Sequence, residues 1–322
     1  GRLERTRLAT APAEQLAVAT FNVENLHPGV DPGRVEALAR LIVQHMASPD
    51  LVALEEIQDA TGPRDDGVVD AGATYGVLLA AIRAAGGPAY QVRQIDPQNN
   101  RDGGEPGGNI RIGFLVRTDR GLRFVDRGGG DAVAPTRVVA GPDGPELSLS
   151  PGRVEPSHPA WESSRKPLAA ELQFRGRRLF VIANHFVSKG GDEPLFGRHQ
   201  PPRRPSEARR VEQATLVKAF VARLLEADAD ANVIVLGDLN DFPFSPTLAA
   251  LKGERLRSLI ETLPENERYG YVFEGNAQAL DHILVSPGLA RTPLEYTVVH
   301  VNAEFADRAS DHDPQVARFT LP

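Results

Sequence analysis

Cysteine is missing from all 322 residues of the chain. That excludes a disulfide scaffold, a thiolate nucleophile and any Cys-ligated zinc site. Lysine is scarce too, with Lys166, Lys189, Lys218 and Lys252 the only four among 36 basic residues. With many Ala, Gly and Pro, that scarcity reads as a coding bias more than a functional signal. No apolar run approaches the ~20 residues of a membrane-spanning helix, and no signal peptide is visible. Positive charge is not in excess: the net charge is −7. That argues against a general affinity for polyanions, so local positive charge or metal ions must hold any phosphate-bearing partner. The rest is ordinary for a globular protein, with 41% hydrophobic and 25% charged residues.

Several segments have clear patterns. LAVATFNV (16–23), DLVALEEI (50–57) and NVIVLGD (232–238) read as strands, and DPGRVEALARLIVQHM (31–46) as a helix capped by Asp31. Helices follow at 73–86 and 206–227, with a hairpin around Gly176 in PLAAELQFRGRRLFVIANHF (167–186). Short strands fall near 90–96, 109–117, 122–126, 279–285, 296–301 and 315–321. Residues 127–165 and 188–205 read as long irregular loops, which are often functional. The alternation predicts an α/β (α+β) layered architecture with mixed sheets: one domain over 16–322 after a lead-in, 1–15.

Polar residues gather where these strands end. Asn22 follows LAVATF, Glu55 and Glu56 follow LVAL, and Asn184 and His185 follow LFVIA. Asp238 and Asn240 follow VIVL, Asp281 and His282 sit in ALDHILV, and Asp311, His312 and Asp313 precede the last strand. Strand ends of α/β sheets are where sites are built. Alternation lets Asp238 and Asn240 reach one point, with Leu239 turned away and Asp241 left to the turn. Asp281 and His282 face opposite sides. Taken singly, each cluster also fits a turn or a solvated strand end; recurrence in one chain is the signal.

Carboxylates and Asn amides without Cys are hard oxygen donors, suited to Mg²⁺, with Mn²⁺ or Ca²⁺ as alternatives. A His among them can neutralise an oxyanion, and an Asp can orient that His or activate water. Together they match phosphate-ester hydrolysis. The G-x-S-x-G elbow, the Walker A loop and H-E-x-x-H are all absent.

The segments TFNVEN (20–25), ALEEI (53–57), NIRIGFLV (109–116), SRKPL (164–168), ANHF (183–186), GDLND (237–241), LDHILVS (280–286) and SDHDP (310–314) resemble, in order, those of the endonuclease/exonuclease/phosphatase (DNase I-like) superfamily. The resemblance implies a four-layer α/β sandwich, two mixed β-sheets packed face to face with helices outside. It implies Glu56 as principal metal ligand with Asn22 beside it, and Asp311 as a further metal or water-shell ligand. Asp238 would hold or deprotonate the attacking water, and Asn240 would bind a phosphate oxygen. His185 would contact the phosphate, and His312, oriented by Asp281, would hydrogen-bond it. Either Asp238 or the His312–Asp281 pair could be the base. The catalytic tyrosine that abasic-site endonucleases carry near ANHF is missing. The loops SPGRVEPSHPAWESSRKPL (150–168), NHFVSKGGD (184–192) and YGYVFEGNAQALDHILVS (269–286) look most like bacterial extracellular-type nucleases. In that branch Arg111, Arg165 and Arg210 are expected at phosphate, and secretion is implied.

RHQPPRRPSEARR (198–210) adds a basic loop fitted to a nucleic-acid backbone. Phe196 is its single nearby aromatic, so base stacking and sequence specificity are expected to be slight. The leading expectation is a low-specificity, monomeric, metal-dependent nuclease acting on DNA, with RNA as a second substrate, and needing no membrane or obligate protein partner. The alternative is a phosphatase or lipid-headgroup phosphodiesterase, for which Trp161 and Phe196 are the large apolar candidates for membrane contact. A non-catalytic scaffold on the same fold is the third.

Overall fold

Side-chain alternation decides which side each strand shows. In Leu16–Leu26, Leu16 and Val18 enter one core while Ala19, Phe21 and Val23 enter another. In Val233–Asp238, Ile234 and Leu236 join the first core, and Val233 and Val235 a third. The first core lies between two sheets; the other two lie between a sheet and its outer helices. This computed structural model describes residues 4–128, 130–194 and 196–322. Residues 1–3 of the lead-in, with Gly129 and Leu195 of the two expected loops, lie outside the described residues.

The first sheet has six strands in the order Leu294–Val298, Gln315–Phe319, Leu16–Leu26, Leu51–Ile57, Arg111–Arg117 and Tyr90–Gln94. The second has seven: Arg257–Ser258, Asp281–Val285, Val233–Asp238, Arg177–His185, Leu168–Phe174 and Leu122–Phe124 in order, with Gly152–Arg153 paired to Leu168–Phe174. Each sheet is mixed, with one parallel pair at its centre: Leu16–Leu26 beside Leu51–Ile57, and Arg177–His185 beside Val233–Asp238. Helices Pro32–Arg40 and Gly72–Ala84 cover the first sheet, and Pro205–Ala227 and Pro246–Lys252 the second. The result is the four-layer α/β sandwich.

Local chemistry explains the element ends. Asp31 caps its helix by accepting from Arg34 N at 3.2 Å. The helical stretch is shorter than its apolar spacing suggests, passing into a π turn over Leu41–His45. Arg175 and Gly176 both have positive φ, the two-residue turn that matches the twist of a hairpin. The first long loop is not structureless. It carries the hairpin Val138–Gly141/Gly144–Leu147 and the short strand Gly152–Arg153. It also buries Trp161 completely, at 6.0 Å from Phe186. Trp161 is therefore a core residue, unavailable for membrane contact. Among the described residues no helix is long and apolar enough to cross a membrane.

Candidate active site

Register assembles one half of the site. Across the second sheet His185 pairs with Asp238, and Asp238 with Asp281. All three share the parity of inter-sheet core residues: Ala183, Leu236 and Ile283 are their i−2 or i+2 neighbours. Three strand ends therefore carry imidazole, carboxyl and carboxyl side by side toward the gap between the sheets. Gly237 makes this register attainable. Its φ is +128°, and a Cβ there would stand 1.9 Å from Asn184 O.

The first sheet supplies the other half by two routes. Asn22 follows the parity of Leu16 and Val18 to the sheet's inner face. Its Nδ2 donates to Glu56 Oε1 at 3.1 Å and Asp238 Oδ2 at 3.2 Å. Glu56 arrives differently. By alternation it shares the face of Val52 and Leu54, which pack outward. A bulge intervenes: Glu56 has φ +62°, and the ladder slips between Leu54 and Ile57. The carboxylate is thereby turned inward, where Asn25 N also donates to it at 2.9 Å. Glu55 keeps the strand's parity and is sealed in the interior, accepting from Thr20 Oγ1 at 2.8 Å.

The loop before the last strand closes the ring. Asp313 accepts three backbone N–H groups, from Val301, Asn302 and Ala303, and so fixes this loop as a structural anchor. His312 then points across to the second sheet, its Nδ1 2.7 Å from Asp281 Oδ2. Its Nε2 lies 3.9 Å from Asp238 Oδ2 and 4.0 Å from Asp311 Oδ1. His185 Nε2 stands 3.6 Å from Asp238 Oδ2 and 3.9 Å from Glu56 Oε1. Asn240, at φ +51°, leaves the strand line; its N donates to Asp238 Oδ1 at 2.9 Å and its Nδ2 to Phe186 O at 3.1 Å. Arg165 Nη2 meets the same carbonyl at 2.7 Å, and its buried Nε has no partner among the described residues.

The electrostatics divide these groups. Burial pushes the Asp238 carboxyl up to about 7, with His312 opposing and Asp281 adding to the rise. Burial would depress the His312 imidazole, but Asp281, Asp238 and Asp311 overcome it and hold the proton on well above the ordinary histidine range. His185 is pushed well below that range, by burial first and then by Arg165 and His312, and so is neutral. Burial lowers Arg165, against the pull of Glu56 and Asp238, which places its charge beside the site.

Asp238, Asp281 and His312 offer ligand atoms within 4.8 Å of one another. His312 Nδ1 is already committed to Asp281, so this trio is better suited to holding protons than a cation. The Glu56 and Asp311 carboxylates are the hard oxygen donors that suit a divalent ion, while Asn22 turns its Nδ2 to Glu56 and accepts from Glu24 N through Oδ1 at 3.0 Å. The nearby Glu24 carboxyl is raised by burial and then by Asp311.

Two expected phosphate arginines are elsewhere. Arg210 is fully buried, with its Nε 3.0 Å from Asp241 Oδ2 and further bonds to Asp192, Ser206 Oγ, Val187 O and Ser188 O. Asp241, which also binds Lys189 and Thr247, is the hub of this network. Arg111 has the parity of Leu115 on the outer face, where its guanidinium pairs with Asp96 and donates to Asn109 O. Both are structural. One neighbour was missed: Tyr271, on the hairpin Tyr271–Phe273/Asn276–Gln278, sets its ring 4.8 Å from that of His312. The Glu274–Gly275 turn, both residues at positive φ, was its available signal.

A family model described as the Endonuclease/Exonuclease/phosphatase family matches residues 19–312. The chain belongs to this family. Endonuclease/exonuclease/phosphatase proteins are metal-dependent phosphodiesterases, nucleases and phosphatases, which agrees with the donor set above. The human nocturnin catalytic domain with bound sulfate is similar at 16% identity and TM-score 0.60, over 95% of this chain and 93% of that one. D. rerio TDP2 complexed with a single-strand DNA product is similar at 19% identity and TM-score 0.58, over 95% and 98%. An endonuclease/exonuclease/phosphatase protein from Bacteroides vulgatus is similar at 17% identity and TM-score 0.57, over 96% and 99%. At these identities the likeness is one of fold. No curated protein matches significantly.

Proposed function

We propose that the chain is a divalent-metal-dependent, low-specificity nuclease that hydrolyses phosphodiesters of DNA, and RNA as a second substrate. The observation that carries this reading is the ring around Asp238 Oδ2: Asn22 Nδ2 at 3.2 Å, His185 Nε2 at 3.6 Å and His312 Nε2 at 3.9 Å. Asp238, held near neutrality, is matched to accept a proton from the attacking water. The His312 imidazolium, kept charged by Asp281, stabilises negative charge on the phosphoryl oxygens. Neutral His185, Asn240 and Arg165 orient the phosphate. A divalent ion held by Glu56, Asn22 and Asp311 would neutralise phosphoryl charge. The exposed arginines Arg198, Arg203 and Arg204 give the backbone-tracking charge that the net −7 otherwise lacks. The DNA product in the TDP2 structure agrees with nucleic acid as substrate. Secretion and a monomeric state belong to the same proposal.

The experiment is cleavage of plasmid and linear DNA with Mg²⁺, Mn²⁺ or EDTA, beside Asp238→Ala and His312→Ala. Metal-dependent cleavage absent from both variants is expected; cleavage equal to that of the variants would sink the reading. A second reading, a lipid-headgroup phosphodiesterase, draws on the exposed Phe196, Phe244 and Phe273. Release of phosphocholine with DNA untouched would favour it.

A further inference from the structure

Beside the catalytic ring lies a cleft of about 440 Å³, within the roughly 300–1,000 Å³ range of small-ligand pockets. It begins where the ring ends, because Asn240 and Tyr271 line both. Its other walls come from segments far apart in sequence: Lys189 and Phe196 from one loop, Phe242 from the turn after Asp238, and Phe273 and Gln278 from the hairpin. Phe196 and Phe273 are exposed, an unusual state for large apolar side chains. Phe242 stacks on exposed Phe244 with centroids 5.4 Å apart. The single aromatic near the basic loop is thus joined by others that the fold brings together.

Resting on the nuclease reading, we infer that this cleft is a nucleobase subsite, taking the unpaired base of a nucleotide next to the scissile phosphate. Aromatic walls offer π faces to any base, which gives stacking without sequence choice. Polar chemistry on the same walls separates a base from an acyl chain. Gln278 is nine-tenths buried, lines the cleft, and its side-chain amide makes no hydrogen bond to the described residues. A primary amide offers a donor and an acceptor together, the complement of a base edge; an alkyl chain would leave it unsatisfied. Asn240 and Ser188 add further polar groups to the wall. A base can enter only when out of its duplex stack, so the substrate class is a single strand or a frayed end.

The test uses single-stranded oligonucleotides with one base deleted at successive positions, alongside the matching duplex. Wild type is expected to cleave the single strand faster, and to lose roughly tenfold in kcat/KM when the base at one side of the cut is missing, the size of one base–aromatic stack. Phe273→Ala should lose about as much on intact strands and then show no further penalty for the missing base, while Phe273→Trp keeps both. Phe273 is exposed, so folding should survive, and an unchanged melting midpoint checks that. If wild type cleaves DNA with no penalty at any position, or Phe273→Ala keeps the penalty, the subsite is overturned and the nuclease reading stands. If wild type cleaves no DNA, both fall. Phosphocholine release from lipid that Phe273→Ala abolishes would give the cleft to an acyl chain and overturn the inference.

Discussion

The two halves of the ring differ in depth. On one side the Glu56 and Asp311 carboxylates keep 20% and 26% of their side-chain surface in solvent. On the other, Asp238, Asp281 and His312 keep 3%, 2% and 6%. Exposure lets these carboxylates exchange water for a cation, which metal binding requires. Burial makes every proton expensive to move unless a neighbour compensates, so Asp238 and His312 are both displaced upward for different reasons: burial favours the neutral carboxyl of Asp238, while Asp281 and Asp238 hold the proton on His312 against burial. The proposed function therefore divides one architecture between two chemistries: a cation seat at the mouth and a proton store beneath it.

The comparison breaks most readily at the proton side. His312→Ala should reduce kcat by about 10²–10⁴-fold, the range of a positioned acid or base, with little change in metal affinity. Steady-state kinetics and metal titration together test this; a loss of metal binding equal to the loss of rate would erase the division. On the other side, Glu56→Gln should abolish the rise in melting midpoint on adding Mg²⁺ or Mn²⁺. Outer partners of metal ligands are worth 10–100-fold, so this direct ligand should cost at least about 100-fold in activity at fixed metal. An unchanged metal-induced shift would remove Glu56 from the cation seat.

Asp281→Asn should have a smaller effect with a distinctive signature. In the wild type activity should rise as Asp238 deprotonates through about 7, and fall at alkaline pH as His312 loses its proton. Asp281 is the strongest attraction holding that proton, so the variant's alkaline limb should move to lower pH; because Asp281 also helps raise Asp238, the acid limb should move to lower pH with it. A pH–rate profile checks it. A shift of the acid limb alone would mean that Asp281 acts on Asp238 instead.

Regular strands were the legible part of this molecule. Alternation along the strands carries Asn22, His185, Asp238 and Asp281 to the gap between the sheets, whereas Asn240, expected on the side of Asp238 by the same rule, leaves the strand line at φ +51°. Glu56 reaches the same gap only through a bulge, and alternation alone would have turned it outward. Arg111 shows the opposite outcome: it obeys parity, and parity takes it to the outer face with Asp96. Arg210 could not be read because its fate depends on Asp241, a residue assigned to a turn, whose buried charge needed a partner. Tyr271 and the cleft beside it arise from segments some eighty residues apart (Phe196 and Phe273), and no local pattern announces such convergence.

The finest test lies in two adjacent glutamates. Glu55 sits fully buried under the ring, and burial followed by the Asp281 charge pushes its carboxyl well above the usual range. Its proton is therefore held more tightly than that of an ordinary carboxyl, although Thr20 Oγ1, donating to it at 2.8 Å, works the other way. Glu55→Gln should leave kcat and metal response nearly unchanged, where Glu56→Gln removes both. Stability gives the sign. A carboxyl whose folded pKa is raised keeps its contribution below the unfolded value of about 4 and loses it as pH rises toward the folded value. The Gln variant, which never ionises, should therefore gain on wild type in denaturant midpoint as pH climbs from about 4 toward neutrality. If wild type instead gains on the variant over that range, Glu55 is ionised in the fold and belongs, with Glu56, to the cation side.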